Sequence, residues 1–306
     1  MTTALPLVSI LLPTHNRPDY AELALRSALA QDYPNLEIIV SDNSDDQLTR
    51  ERFASYVAAD PRIRYYKIDS CPPMDNFQHA YELAGGDFVN FLMDDDLFHP
   101  RKISVMMMAM LQHPTVGIVS SARQLITADG QPIPSPEHLK PLTEVDTLIA
   151  GRSLGAHLTG GGAGNVLGEP TTVLFRKAAA GPVFGVYQGR QYIVVSDMAS
   201  WLTILATSDC IYLKDALSFF RVHAEQDQRN QRTQLRGHLE GLSMACDVWE
   251  HGLFLPRDQP QREKISQALT QTVSLLLPTY ELLRDPMFDH EKIVDTVQRA
   301  TRIVLS

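Results

Sequence analysis

Three consecutive carboxylates, Asp94, Asp95 and Asp96, directly follow the apolar run from Phe88 to Met93. Adjacent carboxylates raise each other's energy unless a positive charge compensates them. Hard divalent cations such as Mg2+ and Mn2+ prefer carboxylate oxygen, and Mg2+ sites recruit substrate phosphates as further ligands. One reading is therefore a divalent ion bridging the triplet to a diphosphate. The other is that the acids favour the N-terminus of a helix starting near Pro100, where negative charge is stabilising. Two more polar clusters end apolar runs in the same way. Pro13, Thr14, His15, Asn16 and Arg17 follow Leu7 to Leu12, and Ser41, Asp42, Asn43 and Ser44 follow Leu36 to Val40. Asp-Asn-Ser is also ordinary turn chemistry, so the second cluster is the less specific.

The segments between these clusters must position them. The first half alternates short apolar runs (7–12, 36–40, 63–67, 88–93, 116–121) with helix-like segments (19–30, 46–58, 74–83, 100–113). That alternation predicts a mainly parallel α/β sheet with helices on both faces. In such sheets ligands bind beyond the carboxyl ends of the strands, where all three clusters fall. Asp129-Gly130 predicts a hairpin turn. Pro134 to Pro170 predicts a long loop of functional type. A strand at 171–175, a helix at 197–207 and short strands at 210–213 and 216–221 follow. After about residue 226 the chain becomes three amphipathic helices (234–253, 262–283, 291–304), the second interrupted by Pro278.

Five ordered motifs resemble family 2 glycosyltransferases. V-S-I-L-L-P-T-H-N-R (8–17) is similar to that family's opening strand and loop. A-L-R-S-A-L-A-Q-D-Y-P-N-L-E-I-I-V-S-D-N-S (24–44) resembles its next helix, strand and nucleotide-binding loop. F-V-N-F-L-M-D-D-D-L-F-H-P (88–100) resembles the strand with the DXD motif. S-D-M-A-S-W-L (196–202) resembles the helix start that supplies the catalytic base, and A-L-S-F-F-R-V-H (216–223) the late strand ending in Arg-x-His. The set covers about residues 7–225.

The resemblance implies a Rossmann-like, open GT-A fold and an inverting, metal-dependent sugar transfer from a nucleotide-sugar, UDP-linked by default. It implies a catalytic domain at 1–225, with a donor-binding part at 1–121 and an acceptor-side part at 122–225, then a helical extension at 226–306. Pro13, Thr14, Asn16 and Arg17 would line the nucleotide pocket, Asp42 would contact base or ribose, and Asp94 and Asp95 would lie near ribose and phosphates. Asp96 would be the principal protein ligand of Mn2+ or Mg2+, with His223 approaching the metal or diphosphate. Asp197 would be the general base. Glu169 and Trp201 are candidates for the acceptor side, although a Trp within a helix is more often core. Two positions depart from the family pattern: Met93 stands where many relatives carry an acid, and Ser196 where they often carry Glu.

Composition fits this reading. The 306 residues carry 27 Lys and Arg against 36 Asp and Glu, a formal charge of -9, which argues against a nucleic-acid partner. Cys71, Cys210 and Cys246 are too scattered for a disulfide framework or a zinc site. No signal-peptide pattern and no run of ~18 apolar residues is present, so a cytoplasmic protein, peripheral at most to the inner face of a membrane, is expected. The acceptor would be a saccharide, a lipid-linked sugar or a protein, in surface polysaccharide or glycoconjugate synthesis. The C-terminal helices are candidates for an oligomer interface. Two other functions compete: a sugar-nucleotide nucleotidyltransferase, which should carry a Gly-rich basic loop near its N-terminus, and a non-catalytic nucleotide-sugar-binding protein.

Overall fold

The apolar runs of the first half form strands because helices cover both of their faces. A computed structural model describes residues 5–136, 139–160, 165–224 and 230–306. β1 (Val8–Thr14) and β2 (Leu36–Asp42) are buried at every position, as parallel strands under two helical layers must be. α1 (Pro18–Leu29) and α2 (Leu48–Ala59) join them to β3 (Ile63–Lys67). There follow α3 (Pro73–Leu83), β4 (Phe88–Phe91), β5 (Leu97–Phe98), α4 (Lys102–Gln112), β6 (Val116–Ile126) and β7 (Pro132–Ile133). The chain continues with β8 (Thr147–Ile149), α5 (Gly151–Thr159), β9 (Leu174–Arg176), α6 (Lys177–Ala180), β10 (Val186–Tyr187), β11 (Arg190–Gln191), α7 (Ser196–Leu205) and β12 (Asp209–Arg221). α8 (Gln231–His251), α9 (Gln259–Leu276) and α10 (His290–Leu305) end the chain.

The main sheet runs β3-β2-β1-β4-β9-β6-β12-β5, with β7 on β6 and β8 on β12. β3, β2, β1 and β4 are mutually parallel. β9 is antiparallel to both β4 and β6, and β12 is parallel to β6. The carboxyl ends of β1, β2, β4, β6 and β12 therefore share one edge. The order reverses on either side of β1, which makes the crevice between β1 and β4 the topological switch point.

The alternation expected through residue 121 is present, and β6 runs on to Ile126 before the turn at Gly130, whose φ is +86°. Three expectations need correction. The loop expected at 134–170 contains β8 and α5, because glycines there serve close packing. A Cβ on Gly151 would lie 1.9 Å from the Ser208 carbonyl oxygen and 2.6 Å from that of Leu205. Gly151→Ala is therefore expected to lower Tm by about 2–10 °C, read by calorimetry, since neither carbonyl can yield without moving α7 or its exit turn. The two short strands at 210–221 are one bent strand, with register shifts at Leu213/Ala216 and Ala216/Ser218. The strand at 171–175 starts later, after a 3-10 turn at Pro170–Thr172. The second C-terminal helix is interrupted at Pro278 as expected: α9 stops at Leu276 and a 3-10 turn follows at Tyr280–Arg284. Gly161, Gly162, Gly164 and the expected domain boundary at 225/226 lie outside the described residues.

The C-terminal helices are not a detached appendage. Met244 and Val248 of α8 belong to the same core cluster as Trp201, Phe175 and Leu154. Tyr192, leading into α7, and Arg299 of α10 both bond to Asp247 of α8. Among the described residues no helix is long and apolar enough to cross a membrane.

Candidate active site at the carboxyl edge of the sheet

The three aspartates after β4 point to three different partners. Asp94 ties that loop to the one after β1: its Oδ2 accepts from Thr14 Oγ1 at 3.0 Å and from the His15 N–H at 3.3 Å, and Arg17 reaches its Oδ1 at 3.3 Å. Burial, and then the charge of Asp95, raises the Asp94 carboxyl to about 6. Asp96 is a buried brace. It is 1% exposed; its Oδ1 accepts from the Arg221 N–H at 3.0 Å and its Oδ2 from Thr171 Oγ1 at 2.6 Å. Burial and the neighbouring Asp95 push it well above the ordinary carboxylate range. Asp95 differs from both: its Oδ2 lies 3.0 Å from His223 Nε2 and 3.4 Å from Arg17.

β12 delivers His223 to that position. Arg221 is 1% exposed, and its Nε donates to the Asp95 carbonyl oxygen at 2.7 Å. The Tyr20 ring supports both residues, 4.9 Å below the Arg221 guanidinium and 5.1 Å from the His223 ring. After β2, Asp42 is fully buried; its oxygens accept from the Ser44 N–H and from Tyr65, and Lys67 Nζ stands 3.8 Å away. Asn16, at φ 53°, joins the β1 and β2 loops by donating its N–H to Ser44 Oγ at 2.8 Å and its side-chain amide to Asp45 at 2.7 Å. Pro13 stands opposite Ser41, one position before the last pair of the two strands, Thr14 with Asp42.

Asp197 opens α7. Its Oδ1 accepts from the Met198 N–H at 2.7 Å and its Oδ2 from Asn165 Nδ2 at 2.7 Å. Burial raises its carboxyl to about 6. One stretch of chain connects it to the aspartate triplet. Asn165 holds Asp197 at one end and Thr171 holds Asp96 at the other, with Thr172 donating to Glu169 at 3.0 Å between them. Glu169 also faces Arg123 at 3.3 Å, and its charge helps to raise both Asp96 and Asp197.

Residues 9–164, half of the chain, match the family described as Glycosyl transferase family 2. The chain belongs to that family. It is 34% identical over 105 residues to the GalNAc(5)-diNAcBac-PP-undecaprenol beta-1,3-glucosyltransferase of Campylobacter jejuni, a match covering 34% of each chain. The chain spans about a third of the length of the first curated relatives it matches. Among solved structures, TarS 1–349 of S. aureus in complex with UDP-GlcNAc superposes with a TM-score of 0.65 at 15% identity, covering 97% of this chain and 81% of that one. The mannosyltransferase PcManGT of Pyrobaculum calidifontis, in complex with GDP-Man and Mn2+, gives 0.53 at 17% identity, covering 99% and 88%. These likenesses establish the GT-A fold.

In this family 2 chain the residues singled out from sequence gather at one edge, with two qualifications of role. Asp96, expected as the main metal ligand, has both oxygens engaged by protein, and Asp95 is the carboxylate that meets His223. Trp201, a candidate acceptor contact, is wholly buried; it donates to the Gly168 carbonyl oxygen at 3.2 Å and packs edge-on against Phe175 and Phe184. A sugar cannot stack on a ring with no open face, so Trp201 is core. Tyr20, Thr171 and Asn165 were not found from sequence. Each acts through a contact far along the chain, and none carries a local signal. Lys102 was also missed: it is fully buried, donates to the Thr172 carbonyl oxygen at 2.9 Å, and is pushed well below the ordinary lysine range by burial.

Proposed function

We propose that this chain transfers a sugar from a nucleoside diphosphate-sugar to an acceptor hydroxyl with inversion, and that residues 1–225 form the catalytic part. The supporting observation is the Asp95–His223 pair, linked through segment 165–172 to a half-buried carboxylate at the start of α7. Asp197 takes the proton of the attacking hydroxyl as the new C–O bond forms on the face opposite the leaving diphosphate. Its raised value keeps it a stronger base than an ordinary carboxylate, yet ionised at neutral pH. Thr14, Asn16 and Arg17 line the donor crevice, and Arg17 offers positive charge toward the phosphates. Asp42 acts on the nucleotide through the Tyr65 and Lys67 cluster that it organises.

The donor set fits a divalent cation. Among the described residues no three His, Cys, Asp or Glu side chains form a ligand group, but Asp95 and His223 supply one oxygen and one nitrogen on the same side. Mg2+-type sites with one or two protein ligands are completed by substrate phosphates and water. Asp95 and His223 would hold Mn2+ or Mg2+, which when bound stabilises charge developing on the diphosphate. Glu169 faces the acceptor side beside Asp197. The acceptor class is a saccharide or lipid-linked sugar of surface polysaccharide or glycoconjugate synthesis.

A thermal-shift panel of UDP-, dTDP- and GDP-sugars with and without Mn2+ tests this. A ligand at 100 times its Kd stabilises the fold by about 2.7 kcal/mol. A rise in Tm that needs both a nucleotide-sugar and the cation is expected. Equal shifts without the cation would remove the metal from the scheme. Pyrophosphate release from a nucleoside triphosphate and a sugar phosphate would replace transfer by nucleotidyl transfer.

A further inference from the structure

We infer that Glu240, on the C-terminal helix α8, is a positioning residue for the catalytic base; the inference rests on the assignment of Asp197 to that role. α7 begins without a side-chain cap of its own, since Val195 occupies the N-cap position. The chain entering it is held from outside. Glu240 Oε2 accepts from three successive backbone N–H groups, those of Ile193 at 3.0 Å, Val194 at 2.7 Å and Val195 at 3.2 Å. Successive N–H groups converging on one oxygen form a concave anion-binding nest. Here the anion is a side chain from another helix, and Asp197 lies two residues beyond the last donor.

The other carboxylate oxygen is fixed as well. Arg236 Nε donates to Glu240 Oε1 at 2.7 Å, and the same guanidinium donates to the Met287 carbonyl oxygen at 2.8 Å, ahead of α10. The Glu240 side chain is only 14% exposed, so its bonds compete weakly with water. Gly237, one turn earlier on α8, lets the helix approach: a Cβ there would stand 3.3 Å from Val194 Cγ1. Met287, Arg236, Glu240, the three amides and Asp197 thus form one continuous path from the C-terminal helices to the reacting edge. Asn165 anchors the base carboxylate from one side. Glu240 sets the direction in which its helix starts.

A mis-aimed base loses rate without loosening the donor, because the donor crevice is built by β1, β2 and β4. Glu240→Ala in the full chain is expected to lower kcat about 10- to 100-fold, with donor KM and the nucleotide-plus-Mn2+ thermal shift changed less than about twofold. Glu240→Gln keeps a carbonyl oxygen for the three amides and is expected to recover part of that kcat. A merely structural role would instead scale with Tm and reduce the fraction of donor-binding protein. Should the alanine variant fail to fold, the glutamine variant reports through the same split between kcat and donor binding. Unchanged kcat in folded Glu240→Ala, beside an inactive Asp197→Asn, overturns the positioning role alone. Retained turnover in Asp197→Asn overturns both.

Discussion

Asp197→Asn is expected to lower kcat about 10²–10⁴-fold, the range general-base catalysis supplies, while nucleotide-sugar binding persists. An amide of the same shape still accepts from the Met198 N–H but cannot take a proton. The wild-type rate should rise with pH and level off above about 6, the value to which burial raises Asp197, and the variant should lack that limb. Stability gives an independent reading of the same group. Its folded value lies above the ordinary 3.8, so between those values the folded state holds the proton more tightly than the unfolded state. Stability is then lost as pH rises through that window. The buried charge costs most above about pH 6 and nothing below the unfolded value. The Tm of Asp197→Asn minus that of wild type should therefore grow from pH 4 to pH 8. Near-normal turnover would remove Asp197 from the chemistry, and a pH-independent Tm difference would show that folding does not raise its carboxyl.

The outline of this site was legible because it follows short-range rules. Fully buried parallel strands appear as continuous apolar runs, and polar residues after them fall at one edge. What sequence could not assign was the direction of each carboxylate at the turn. Asp94, Asp95 and Asp96 are equivalent in composition, and their roles separate only through Thr14, His223 and Thr171, each far along the chain. Glycines misled in α5, where Gly151 and Gly155 suggest a loop by helix propensity. They stand there because Ser208 and Phe254 come too close for a side chain. Lys214 and Asp215 interrupted β12 in the same way, since a strand that shifts register loses its simple alternation. Amphipathic pattern revealed the C-terminal helices but not their target. Glu240 is one charged residue among several on α8, and only the three amides opposite it distinguish it.

Asp95→Asn should cost about 10²–10⁴ in kcat/KM, because several kcal/mol of charge stabilisation depend on the cation it would hold. The size of the effect follows from geometry rather than from the number of acids. Asp94 is engaged by Thr14, His15 and Arg17, and Asp96 by Thr171 and the Arg221 N–H. Asp95 alone faces His223, an imidazole nitrogen that has a lone pair for a metal when neutral. The amide in Asp95→Asn is neutral, so it loses the charge that attracts a divalent ion while keeping the shape of the turn. Titration calorimetry of Mn2+ in the presence of nucleoside diphosphate separates the candidates. Asp95→Asn should abolish cation-dependent nucleotide binding at unchanged Tm, and His223→Ala should weaken it. Asp96→Asn should chiefly alter stability, since its amide nitrogen would meet the Thr171 hydroxyl in place of a carboxylate oxygen. The reverse pattern, with Mn2+ affinity lost in Asp96→Asn and kept in Asp95→Asn, would return the ligand to Asp96 and require the Thr171 and Arg221 contacts to open when donor binds.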